Sequence, residues 1–232
     1  RVLTRRLVLA RSTVVVPSRN LERIATEVWR LAPQRVRYIP NGIDLGRFAA
    51  RHSTINPEPV IGAVSALRPE KNFPRLLRAF HIATEQTAAR LLVVGDGPER
   101  PGLERLASQL GLGDRVRFTG HVADPAPLYA GFDVFAVSSD TEQMPISVLE
   151  AMAAGLPVAG TDVGDIRAML AADNAPLVGP LDDAALARSL LALLGDASLR
   201  RRIGAANRAR AARDYDQETM FQAYAALFDR QR

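Results

Sequence analysis

From residue 59 onward, short runs of β-branched and aliphatic residues alternate with longer stretches whose apolar positions recur every three or four residues. The runs are Val60 to Val64, Leu91 to Val94, Val116 to Thr119, Val134 to Val137, Pro157 to Gly160 and Pro176 to Val178, and they predict strands. The stretches between them are Asn72 to Glu85, Pro98 to Leu110, a short one near Pro127, Ile146 to Ala154 and Asp165 to Ala172, and they predict helices. Strand and helix alternating at this spacing imply an α/β fold, with parallel strands and crossover helices on both faces of the sheet. Such sheets take ligands at the carboxyl ends of their strands. Functional residues are therefore expected just after each run.

Boundary residues support the same elements. Asn72 is placed to cap the first helix, and Gly111 and Gly155 follow the second and fourth where a left-handed cap belongs. After residue 180 the strand pattern stops, and Ala, Leu and Arg recur with helical period through Ala184 to Leu194, Leu199 to Arg213 and Glu218 to Asp229. The opening segment differs. Thr13 to Val16 predicts a strand, Asn20 to Arg30 a helix, and Val36 to Ile39 a second strand, before the turn signal Pro40-Asn41-Gly42. So few elements bury little core by themselves. Residues 1 to 40 are expected to be the last unit of a preceding domain together with the crossover.

Composition narrows the classes. In 232 residues, 47% hydrophobic and 24% charged, there is ample material for a core and no signature of disorder. No apolar run approaches the ~18 residues of a membrane-spanning helix. The chain has no cysteine, which excludes disulfides, thiol nucleophiles and thiolate-held metals. His52, His81 and His121 are too dispersed for a metal-spaced pair. The net charge of +5 is uneven: residues 1 to 52 carry +8, residues 53 to 199 carry −7, and residues 200 to 232 carry +4. Basic ends suit nucleic acid or an anionic membrane, but the bases lack aromatic interleaving and no nucleic-acid-reading motif is present. Of thirty basic residues only Lys71 is a lysine. A composition that writes Arg almost everywhere yet keeps one Lys points to a compact ammonium being wanted at that position.

Several nucleotide and hydrolase signatures are absent. Gly95-Asp96-Gly97-Pro98 finds its next glycine at Gly102, failing the dinucleotide spacing, and neither a P-loop nor a G-x-S-x-G elbow occurs. Asp214-Tyr215-Asp216 resembles a metal-holding acidic pair but joins two helices, where capping is the simpler role. A constellation at strand ends remains. Arg68 and Lys71 lie in Leu67-Arg68-Pro69-Glu70-Lys71-Asn72, between a strand and a helix start. Two cations beside free helix-start amides suit a diphosphate. The same pattern also fits an Arg paired with Glu70. In the segment Ser138 to Gly155, Pro145 sits at a helix start, leaving the amides of Met144, Ile146 and Ser147 as donors for an anion. Glu142 lies in the loop, and Glu150 interrupts the apolar stretch Ile146 to Pro157. A carboxylate there is costly without partners such as ligand hydroxyls, or else it lies on a partly exposed face and answers the helix dipole.

Taken in order, Leu67-Arg68-x-x-Lys71, Val94-Gly95-Asp96-Gly97-Pro98, Val116-x-Phe118-x-Gly120 and Glu142-x7-Glu150 with Ala151-Met152-Ala153-x-Gly155-x-Pro157-Val158 resemble the carboxy-terminal domain of retaining GT-B glycosyltransferases of family four. Pro40-Asn41-Gly42-Ile43-Asp44 with Phe48 resembles the interdomain crossover of that family. The resemblance implies a Rossmann-like parallel sheet, one half of a GT-B fold, over residues 41 to 213. It also implies a carboxy-terminal helix at 214 to 232 that packs back toward the amino-terminal domain.

By the same resemblance Arg68, Lys71 and Glu142 are the catalytic residues. Arg68 and Lys71 would hold the donor diphosphate, and Glu150 the ribose hydroxyls. Glu142 would contact the transferred sugar with help from amides around Gln143, Met144, Pro145 and Ile146, and Gly120, His121 and Val122 would face the base. The match departs in two places. Gly164-Asp165-Ile166-Arg167-Ala168 stands where many relatives carry Gly-Gly and then Glu, and Glu142-Gln143-Met144-Pro145 lacks the small glycines often found there.

The implied function is transfer of a sugar from a nucleotide-diphosphate donor to an acceptor hydroxyl with retention, using no cofactor and no metal. The acceptor site would belong to the amino-terminal domain, so this chain is expected to bind donor without transferring it. An epimerase or phosphorylase of the same architecture and a non-catalytic nucleotide-binding module stay open as alternatives. A cytoplasmic protein is expected. A peripheral contact at the inner face of the membrane, through Arg1, Arg5, Arg6 and Arg11, would follow if the acceptor is a lipid.

Overall fold

The computed structural model describes residues 2–48 and 58–229, so Arg1 and His52 lie outside the described residues. Six strands form one parallel sheet: β3 (Val60–Val64), β4 (Arg90–Val94), β5 (Val116–Phe118), β6 (Val134–Val137), β7 (Val158–Thr161) and β8 (Val178–Gly179), in the order β5-β4-β3-β6-β7-β8. The alternation along each strand explains why both faces had to be covered. Ile61, Ala63, Leu91, Val93, Val134 and Ala136 belong to one core, where they meet α3 (Phe73–Thr84), α4 (Arg100–Gln109) and α8 (Asp183–Gly195). Their neighbours Val94, Phe135, Val137 and Val158 belong to the other, with α5 (Ala126–Tyr129), α6 (Ile146–Ala153), α7 (Ile166–Met169) and α9 (Ala197–Asp214). Period-two burial with apolar residues on both sides is the pattern of a doubly covered parallel sheet.

The strand order fixes where a ligand belongs. From β3 the chain steps outward through β4 to β5, then returns to place β6 on the other side of β3 and proceeds through β7 to β8. The reversal between β3 and β6 opens a crevice beyond their carboxyl ends. Ser65 to Lys71 and Ser138 to Glu142 are the segments that leave those ends.

The opening segment forms its own two-stranded parallel sheet of β1 (Val14–Val16) and β2 (Val36–Tyr38), flanked by α2 (Arg19–Arg23). A small core of Val16, Ala25, Leu31 and Val36 joins them. The helix expected over Asn20 to Arg30 is interrupted: after Arg23 the backbone widens into a π-turn over Ile24–Val28. The preceding α1 (Val2–Leu9) leaves no clear mark in the sequence, being short and without a buried residue. At the other end α10 (Gln217–Asp229) returns toward the opening unit, with Met220 Sδ accepting from the Gly42 amide and a cavity between Tyr38, Ile39, Ala223 and Leu227. Most element ends shift by a residue or two, and three shifts have a visible cause or consequence. Helix α7 stops after Met169 because Leu170 is extended, the strand expected at Pro176 begins only at Val178 after a 3-10 turn, and Thr119 falls outside β5.

Candidate functional site

The loop after β3 turns sharply. Pro69–Lys71 form a 3-10 turn, and Asn72 then adopts a left-handed conformation with φ 43°, from which its side chain accepts a hydrogen bond from the Arg75 amide and caps α3. Asn tolerates that backbone better than other non-glycine residues. The loop after β6 is fastened to this turn at several points. Ser138 Oγ donates to Lys71 O at 2.9 Å, the Asp140 amide donates to Glu70 O at 2.9 Å, and Asn72 Nδ2 donates to Asp140 at 3.0 Å. Arg75, only 7% exposed, donates to Ser138 O at 2.7 Å and Asp140 Oδ1 at 2.6 Å from beneath. Burial alone would raise the Asp140 carboxyl, but Arg75 and Asn72 together hold it below the usual carboxylate range.

This fastening brings two of the sequence candidates into contact. Lys71 Nζ lies 2.5 Å from Glu142 Oε1, which also accepts from Ser139 Oγ at 2.7 Å. Both side chains are largely withdrawn from solvent, at 23% and 10% exposure. They line a narrow cavity at the β3–β6 switch point with Ser65, Ser138, Ser139 and Ser147. Among the described residues, the amides of Met144, Ile146 and Ser147 find no acceptor within the protein, as expected for a helix start.

A second cavity of about 250 Å³ adjoins the first, since Val64 and Ser65 line both. His121 and Val122 form part of its wall, opposite Ala66 and Gly95. Gly95 is what permits this close packing: its φ is 138°, and a Cβ there would lie 1.9 Å from Ser65 O. Its amide donates to Gly120 O at 3.0 Å, which places the His121 segment over the strand ends.

Glu150 stands one turn along α6 from Ser147. Burial pushes its carboxyl above the usual range, and the hydrogen bond from Tyr129, then the charge of Arg47, draw it part of the way back. Tyr129 Oη donates to Glu150 Oε2 at 2.5 Å. The phenol is fully buried and held far above its ordinary value, first by burial and then by the facing carboxylate, so it serves as a fixed donor.

Other candidates are arranged differently. The Arg68 guanidinium is exposed and, among the described residues, carries no hydrogen bond or ion pair, so it is not paired with Glu70. It lines neither cavity. The Gln143 side chain accepts from Ser18 Oγ at 3.1 Å and is thereby directed to the opening unit. Met144 is buried, its carbonyl accepting from Asn41 Nδ2 at 3.1 Å. Pro145 precedes α6 in an extended conformation, and Ile146 is 53% exposed. Ser139, Arg75 and Tyr129 join the site without having stood out in the sequence. Arg75 shares α3 with Arg78 and is set apart only by its burial, and Tyr129 reads simply as core. Among the described residues no three His, Asp or Glu side chains converge as metal ligands, and no helix is long and apolar enough to cross a membrane.

Comparison with known proteins gives a consistent result. Residues 58–196 match the family model described as glycosyl transferases group 1. The chain is 30% identical over 211 residues to the lipopolysaccharide core biosynthesis glycosyltransferase LpsE of Rhizobium meliloti, covering 89% of this chain and 60% of the relative. It is 35% identical over 161 residues to LpsD of the same organism, covering 69% of this chain and 46% of that one. It thus spans about half the length of these curated relatives. Among solved structures, the Anabaena protein HepE in complex with UDP-glucose superposes with a TM-score of 0.87 at 24% identity, over 98% of this chain and 67% of that one. Sucrose-phosphate synthase from Thermosynechococcus elongatus gives 0.85 at 26% identity, over 99% and 61%.

Proposed function

The chain belongs to the group 1 glycosyltransferases, and from that premise we propose that it is the donor-binding part of an enzyme that moves a hexose from a nucleotide-diphosphate sugar to an acceptor hydroxyl with retention at the anomeric carbon. The observation that carries the reading is the meeting of Lys71 and Glu142 at the β3–β6 switch point, beside the unsatisfied amides that start α6. A diphosphate placed there would take the Lys71 ammonium and those amides. Arg68, exposed and unpaired among the described residues, is free to swing onto the outer phosphate oxygens.

Glu150 would accept the ribose hydroxyls, held in place by Tyr129, and the base would enter the cavity walled by His121 and Val122 with Gly120 behind them. Lys71, once engaged by phosphate, would leave Glu142 for the hydroxyls of the transferred sugar. The bond between the anomeric carbon and the diphosphate oxygen breaks, the acceptor oxygen bonds to that carbon, and the acceptor proton passes to the departing diphosphate. Negative charge grows on the leaving group in the process. Fixed cations and amides aimed at it lower the barrier without a metal ion.

Two HepE structures, solved as complexes with UDP and with UDP-glucose, support this choice of donor class. The acceptor site, in this reading, belongs to a preceding domain that residues 1 to 40 would complete, with residues 214 to 232 packing back onto it. A lipid acceptor would draw the basic opening segment to a membrane surface, on the cytoplasmic side. A thermal-shift screen of nucleoside diphosphates and their sugar conjugates tests the donor reading, because a ligand that binds only the folded state raises the melting temperature. A flat response across the panel would refute it.

A further inference from the structure

The segment that departs from the family resemblance, Gly164-Asp165-Ile166-Arg167-Ala168, has a specific environment here. Asp165 is only 6% exposed, and its two carboxylate oxygens accept from the main-chain amides of Arg19 at 2.5 Å and Asn20 at 2.9 Å. A buried carboxylate is costly unless hydrogen-bonded, and these amides supply what it needs. They also join segments 146 and 145 residues apart, from the sheet domain to the opening unit.

Asp165 has a second attachment through its own amide, which donates to Gln143 O at 2.9 Å. The Gln143 side chain in turn accepts from Ser18 Oγ, the residue next to Arg19. Gly164 lets this strand-end loop press on the residue before: with φ 58°, a Cβ there would lie 2.3 Å from Glu142 O. Residues Ser18, Arg19 and Asn20 therefore grip two segments, and the segments grip each other. The Glu142 side chain is held by Lys71 and Ser139, while its main chain packs directly against Gly164, beside the clasp.

We propose that Asp165 is a positioning residue for the sugar pocket, which locks the Glu142–Gln143 loop to the opening unit and so sets the preference for a nucleotide sugar over the bare nucleotide. The inference rests on the donor reading above, in which Glu142 meets the sugar. It assigns no contact between Asp165 and the donor. The diphosphate and nucleoside contacts proposed for Lys71, the Ile146 and Ser147 amides and Glu150 lie outside the clasp and should not depend on it.

Two measurements on the 232-residue chain test this. Asp165→Asn nearly preserves shape but replaces one accepting oxygen with a group that cannot accept an amide. Hydrogen exchange without ligand should show the amides that the clasp holds, those of Arg19, Asn20 and Asp165, exchanging faster in the variant. Unchanged exchange overturns the clasp whatever the donor is. Calorimetric titration should then show wild-type protein preferring UDP-glucose to UDP, and Asp165→Asn keeping its UDP affinity while the preference falls roughly tenfold, the scale of one charge-assisted hydrogen bond.

A preference that survives intact overturns the inference alone, as does equal loss of UDP affinity, which would make Asp165 a residue of the fold only. A wild-type chain with no preference overturns the donor reading and this inference with it. Ser18→Ala, which removes the tether to Gln143, provides the same test if Asp165→Asn does not fold, with a selective loss expected and none overturning the proposal.

Discussion

Lys71 and Glu142 meet across the switch point of the sheet, ammonium nitrogen to carboxylate oxygen at 2.5 Å, although 71 residues separate them along the chain. The pair joins the segment leaving β3 to the segment leaving β6. In the ligand-free protein each charge compensates the other, which makes their burial tolerable. A diphosphate would replace the carboxylate as partner of Lys71. Lys71→Ala should weaken nucleoside-diphosphate binding by about 1.5 to 3 kcal/mol, the range for a hydrogen bond to a charged group. Isothermal titration reads this directly, and an unchanged affinity would remove Lys71 from the phosphate site.

Glu150 offers a test with a pH signature. Its folded-state carboxyl is raised by burial, so below the unfolded-state value the group is protonated in both states and carries no penalty. As pH rises through the ordinary carboxylate range toward the folded value, the unfolded chain ionises first and stability falls. Glu150→Gln should therefore raise the melting temperature of ligand-free protein at neutral pH, with the advantage fading in acid. The same variant should lose affinity for ribonucleoside diphosphates more than for deoxy analogues. Equal losses for both would remove the ribose role.

Arg75 fastens the two loops from below through Ser138 O and Asp140. Arg75→Met would leave those acceptors without their donor, and a destabilisation of about 2 to 4 kcal/mol is expected when one member of a buried, charge-assisted hydrogen bond is removed. Asp140, held below the usual range, contributes stability that is present above its unfolded value and lost as pH falls through the folded value. Denaturation of wild type and variant as a function of pH should thus show a smaller acid loss in Arg75→Met. Identical acid profiles would contradict the pairing.

Gly95→Ala should be among the most damaging small substitutions in the chain. Its backbone has φ 138°, and the added Cβ would lie 1.9 Å from a main-chain oxygen that has no freedom to move aside. A destabilisation of more than about 2 kcal/mol is expected, measured by denaturant unfolding. A variant as stable as wild type would show that the β3 and β4 ends do not approach as described.

The sheet was legible in the sequence because its strands are buried on both faces, and continuous runs such as Val134 to Val137 follow from that burial. The ends of elements were less so. Pro176 opens a short apolar run to Val178 yet takes part in a 3-10 turn, and α7 stops early where the Ala171 amide donates to the Asn207 side chain rather than to a helix carbonyl. Within the site, Lys71 and Glu142 were legible because residues after parallel strands must converge at the switch point. Ser18 and Asp165 were not. The Asp165 carboxylate accepts from main-chain amides far away in sequence, and main-chain donors leave no trace in residue type, whereas Ser18 reads simply as the cap of α2, its hydroxyl accepting from the Leu21 amide.

In the proposed function, the crevice between the β3 and β6 ends takes a diphosphate attached to a nucleoside. Calorimetric titration of the unmodified chain with UDP and, in parallel, with UMP decides whether it does. Saturable binding of one UDP per chain is expected, at least about tenfold tighter than UMP, since the second phosphate would engage Lys71 and the α6 amides. Equal affinity for the two nucleotides, or no binding of either, would contradict it.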